Sequence, residues 1–175
     1  MGQGLGTLLG LITAFALAFI VLMFGSFMPN DLIASTIVDD FLASRELEKR
    51  LAVTGTILFP APAILGSTSL GSLVGYGAPG GTVLMWLAWG TGGLIAGLVT
   101  KEILPGILSA VFSAVIGAFL TWLLFFMISS SFAGIGGIFQ QGSLIIMQAA
   151  LEGTIYPAIA CAIGGLLGGA ITRDR

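Results

Sequence analysis

Four long runs without a charged residue, at positions 4–28, 82–100, 103–128 and 154–172, set the pattern of this chain. About 20 helical residues cross the ~30 Å hydrocarbon core of a bilayer, so each run predicts a membrane-spanning helix. Positions 31–50 between the first two runs read differently. They hold Asp31, Asp39, Asp40, Arg45, Glu46, Glu48, Lys49 and Arg50. A charge at mid-membrane costs about 2.5–3.5 kcal/mol, which places this stretch in water or at the interface. Ser35 is suited to cap a helix there, and Ile37, Val38, Phe41, Leu42, Leu47 and Leu51 are spaced to lay an apolar side on the membrane surface.

Positions 51–66 fit two patterns. The segment is apolar, yet Phe59-Pro60-Ala61-Pro62 breaks a helix near its middle. It reads as a re-entrant or interfacial segment within a long 29–81 connection, or as a fifth, kinked span. Tyr76-Gly77-Ala78-Pro79-Gly80-Gly81 follows as a turn-rich loop. Basic residues mark the side facing the cytoplasm or its equivalent. Four spans put Lys101, Arg173, Arg175 and the amino terminus together but leave Arg45, Lys49 and Arg50 opposite; five spans gather all six. We take four, because of a repeat.

Residues 81–102 and 153–174 align without a gap at a spacing of 72. Gly81/Gly153, Thr82/Thr154, Ala88/Ala160, Gly92/Gly164, Gly93/Gly165, Leu94/Leu166, Gly97/Gly169 and Thr100/Thr172 are identical, and Lys101/Arg173 and Glu102/Asp174 keep their charge. The expectation is a helix hairpin duplicated once, its two copies related by about half a turn around the membrane normal. The glycine faces of the two copies would then meet the first and third helices in turn.

Small residues recur at every fourth position and so share a helix face. Gly6, Gly10 and Ala14 mark the first span; Gly92, with Gly93 and Gly97 beside it, the second. Ser113 and Gly117 mark the third, and Gly164 and Gly168, with Gly165 and Gly169, the fourth. In lipid no hydrophobic force draws helices together, so close backbone contact through such faces is expected to hold the bundle. The first span carries the longest stripe, available to another copy or a larger partner. Trp86, Trp89, Trp122 and Tyr156 read as lipid-facing or interfacial anchors.

Composition sharpens this picture. Of 175 residues, 57% are hydrophobic and 8% charged, with mean hydropathy +1.10, against the ~25% charged residues of a soluble domain. Lipid must therefore cover much of the surface, and the whole chain, 1–175, reads as one polytopic all-α membrane domain in a cell or virion membrane. Without histidine it lacks the commonest general base and metal ligand. The lone Cys161 can form neither an internal disulfide nor a cysteine cluster. Net charge −2 argues against nucleic acid. Nothing before Arg45 is basic, so the first run reads as a retained helix rather than a cleavable signal. No charge lies inside a span. Glu152, next to Gly153, reads as a cap for the positive end of the fourth helix, or as part of a polar pathway. Pro157 just beyond it, like Pro60 and Pro62, is placed to interrupt a helix.

No catalytic, cofactor or metal set can be assembled. The sequence therefore points to a non-catalytic membrane component: a structural, assembly or accessory subunit of a membrane complex or a membrane-containing virus particle. Its partners would be lipid, copies of itself or a larger membrane protein. The alternative is a small pore or facilitator.

Overall fold

The computed structural model describes residues 2–30, 32, 33, 35–59, 81–128 and 143–173, the side chains of 81, 125–128 and 143–152 excepted. Every regular element among them is helical: α1 (Gly2–Met23), a 3₁₀ turn (Gly25–Phe27), α2 (Ser35–Ala43), α3 (Leu47–Leu58), α4 (Gly81–Thr100), α5 (Ile103–Ile128) and α6 (Ser143–Thr172). Four of them contain segments long and apolar enough to cross a membrane: Gly2–Met23, Thr82–Thr100, Ile103–Leu124 and Gly153–Thr172. Among the described residues the fold is an all-helical bundle with four candidate spans.

Directions follow from the backbone contacts. Gly2 lies beside Thr100 and Val99, Gly6 beside Ala96, and Gly10 on Gly92, so α1 runs antiparallel to α4. Lys101, with φ 59°, turns the chain from α4 into α5, and its N–H closes on the Gly97 carbonyl at 3.1 Å. A left-handed residue at this position is a common way to end a helix. Gly165 then packs on Gly106 and Ala110, and Gly169 on Glu102, which makes α6 antiparallel to α5 and parallel to α4. The first residues of α1, the Lys101 turn and Arg173 share one end of the bundle, called here the amino end.

The opposite end carries α2 and α3. Leu22, Ile33, Ile37, Val38, Phe41, Val53, Ile57 and Leu84 form a second core there, separate from the mid-bundle core. Phe41 stacks edge-on against Phe19 at 4.9 Å, and the Arg50 guanidinium lies 5.4 Å above the Phe41 ring while its Nε donates to the Ser44 carbonyl at 2.7 Å. Ile37, Val38 and Phe41 therefore dock on the protein, not on the membrane surface; Leu42 and Leu47 remain exposed.

The four-span reading holds over its five-span alternative, and two helix ends move. Five spans would require α4 to run parallel to α1, and it runs the other way. The first span ends at Met23 rather than 28, because Gly25 opens a 3₁₀ turn that seats Val38, where a β-carbon would stand 2.6 Å from its Cγ2. The fourth helix begins at Ser143, before position 154, and continues through Pro157. Proline removes the bond to the carbonyl four residues back, here that of Gly153, and the helix continues without it. Pro60, Pro62 and the 76–80 loop lie outside the described residues, as do positions 60–66 of the 51–66 segment.

Candidate functional site at the tip of the third helix

The small residues singled out in the sequence lie at helix contacts, each with a definite partner. A methyl group on Gly92 would stand 2.6 Å from the Gly10 carbonyl oxygen, and one on Gly10 would stand 2.9 Å from the Gly92 oxygen. The two backbones thus meet reciprocally, close enough for Cα–H···O contacts. Ala14 lies against Gly92, and Gly6 against Ala96, Thr100 and Ser109. On the other side of α4, Gly93 faces the Cys161 backbone and Gly97 faces Gly165, Gly168 and Gly169. Gly164 and Gly168 press on the α4 backbone at Gly90–Leu94 and Leu94–Leu98, and Gly165 and Gly169 on the first turn of α5 and its approach.

This arrangement corrects two expectations. Gly92 meets α1, whereas Gly164 meets α4; Gly93 meets α6, whereas Gly165 meets α5. Each α6 glycine is turned to the next helix around the bundle, so no half-turn relates the two packings, although residues 72 apart lie at similar depth. The α1 stripe is also consumed internally: Gly6, Gly10 and Ala14 meet α4 and α5, and Ala18 is buried, so the stripe is not offered to a partner.

Among the described residues, the side chains that could carry chemistry converge where α3 ends. Ala52 through Phe59 are all buried. At their end the Trp89 indole N–H donates to the Leu58 carbonyl at 2.8 Å. The Trp89 ring is fully buried between Phe59 (centroids 5.4 Å) and Phe15 (6.3 Å, edge-on). Gly117 makes room for it: a β-carbon there would lie 2.7 Å from the far edge of the indole. Behind the ring, the Cys161 thiol donates to the Trp89 carbonyl at 3.3 Å, with Ser113 Oγ 4.0 Å from the sulfur. Ser113 Oγ itself donates to the Ala110 carbonyl at 2.6 Å.

Thr121 lies one helical turn beyond Gly117, packed against Gly55 of α3. Its hydroxyl is buried and has no hydrogen-bond partner among the described residues. The other hydroxyls at this junction are satisfied within their own helix, Thr54 on the Arg50 carbonyl at 2.8 Å and Thr56 on the Val53 carbonyl at 2.6 Å. Toward the amino end the α5 row continues to Ser109, which donates to the Gln3 carbonyl at 3.1 Å beneath a shallow hollow lined by Gly2, Gly4, Thr100 and Glu102.

Glu152 is not at a helix start. It lies nine residues after Ser143, in the third turn of α6, where the positive end of the helix no longer acts. Sequence reasoning also misplaced Trp89, read as a lipid or interface anchor. The signal was present: Met85, Trp89, Gly93 and Gly97 follow one another at intervals of four, which puts Trp89 on the glycine face. Trp86, at 36% exposure, keeps the outward position. No protein family, curated protein or solved structure matches the chain.

Proposed function

We propose that this protein is a non-catalytic, multi-pass membrane component whose work is structural: an assembly or accessory subunit of a membrane complex or of a membrane-bearing particle. One observation carries the reading. Ser109, Ser113, Thr121 and Cys161 are buried in internal packing, with the centre filled by Trp89, while every span turns large apolar side chains outward. Leu8 and Ile12 of α1, Leu87 of α4, Phe112 and Phe119 of α5, and Ile163 and Leu167 of α6 are exposed in this way. A molecule of this kind offers its surroundings a shape and an apolar surface rather than a reaction centre. The 72-residue match, with its eight identities, supports an origin by duplication of a helix hairpin.

The test is purification in mild detergent at native abundance. A stable membrane-protein partner or a defined homo-oligomer is expected; a lone monomer in both detergent and nanodiscs contradicts the proposal. A second reading, a small pore or facilitator, draws support from the buried hydroxyl row Ser109, Ser113 and Thr121 on α5, interrupted where the Trp89 ring lies over Gly117. It requires solute flux into liposomes holding the purified protein, rising when the plug is removed in Trp89→Ala. The structural reading requires the absence of flux in both.

A further inference from the structure

We propose that α3 is a re-entrant strap: a half-membrane helix that enters from the α2 end, stops near mid-depth and is pinned there at its tip by Trp89. Depth is measured along α4. Trp89 is the ninth residue of that helix, about 12 Å below its start and about 17 Å from Thr100 at a rise of 1.5 Å per residue. The Leu58 carbonyl, in contact with the Trp89 indole, is therefore well inside the hydrocarbon span. The charged start of α3 is at the surface, with Glu46, Glu48 and Arg45 exposed and Lys49 paired to Glu46 at 3.0 Å. Twelve helical residues cover about 18 Å, enough to reach mid-depth and too short to cross.

The return side follows from α4. Its first turns share a core with Leu22, Phe41 and Val53 at the α2 end, so α4 starts from the side at which α3 enters. Burial of α3 differs from that of a span. Each spanning helix keeps an outward apolar face, whereas every residue from Ala52 to Phe59 is buried, Thr54, Gly55 and Thr56 included. With Thr54, Gly55 and Thr56 at its middle and no outward face, this segment is enclosed by protein rather than by lipid. Backbone that ends at membrane depth is tolerated only where protein encloses it and supplies its hydrogen bonds. Here the Phe59 N–H donates to the Gly55 carbonyl at 3.0 Å and the Trp89 indole N–H to that of Leu58. α3 thus lies in a cleft between α1, α4 and α5, and the Trp89 bond holds it there.

The experiment uses single cysteines in the full chain carrying Cys161→Ser, reconstituted in liposomes and treated with an impermeant maleimide from either side. Leu47→Cys is expected to label from the α2 side, and Leu58→Cys to resist from both. Trp89→Phe, which keeps an aromatic ring but loses the donor, should raise labelling of Leu58→Cys at least tenfold from the α2 side while Ala114→Cys, in the bundle core, stays protected. Labelling of Leu58→Cys as fast as Leu47→Cys without the Trp89 change would place α3 in water and overturn the proposal. Labelling from the amino end would make α3 a crossing segment and overturn it equally. No change on Trp89→Phe would remove the pin. Should that variant open the whole bundle, hydrogen exchange of the otherwise unaltered protein in nanodiscs decides. Amides of 54–59 must open as a unit before those of α4, and simultaneous opening rejects the strap.

Discussion

At Gly92 and Gly10 a single hydrogen atom separates a bound helix pair from a steric clash. A leucine at Gly93, whose β-carbon would meet the Cys161 backbone, should destabilise the bundle by about 1–3 kcal/mol, as overpacking does in other interiors. Gly90 is the internal control, because nothing lies within 4 Å of a β-carbon there. Gly90→Ala should stabilise by about 0.5–1 kcal/mol, the ordinary helical advantage of alanine, and detergent unfolding of both variants reads the contrast. Thr121 makes a prediction of opposite sign. A buried hydroxyl without a partner carries a desolvation cost of about 1–3 kcal/mol, so Thr121→Val, equal in shape, should raise the unfolding midpoint. The glycine faces were legible because a spacing of four is a geometric property of the helix. Their partners were not, since periodicity marks which residues share a face and is silent on which helix lies opposite. Trp89 was misread for a related reason: aromatic identity outweighed its place in the Met85–Gly97 stripe.

Among the elements, the spans were readable from length and absence of charge, while their ends were not. Gly25 ends α1 early through a contact with Val38 thirteen residues on, and Gln148 and Glu152 mark a boundary in the sequence that the helix, begun at Ser143, runs straight through. The α2 segment shows the same limit. Its apolar side was evident, but whether that side meets lipid or protein depended on Phe19, a residue of another helix. Phe41 now carries the α2 contact, stacked on Phe19 and under Arg50. Phe41→Ala should cost about 3–5 kcal/mol, the range for an aromatic removed from a core. The loss should appear first as faster hydrogen exchange in α2 and α3, with the amino-end turns of α4 and α5 unaffected.

Across the whole molecule, charge and topology agree in part. The described bases Lys101 and Arg173 lie at the amino end, while Arg45, Lys49 and Arg50 share the α2 end with Asp39, Asp40, Glu46 and Glu48, so acids outnumber bases there. A four-span bundle with α2 and α3 confined to one side follows from the antiparallel run of α1 on α4, and everything proposed about partners and the α3 strap rests on that arrangement. Its most direct test is the sidedness of Ala43 and Thr172. Single cysteines from Ala43→Cys and Thr172→Cys, each with Cys161→Ser, leave every charge in place. An impermeant thiol reagent applied to sealed, oriented vesicles should reach them from opposite sides. Labelling of both from one side would contradict the account.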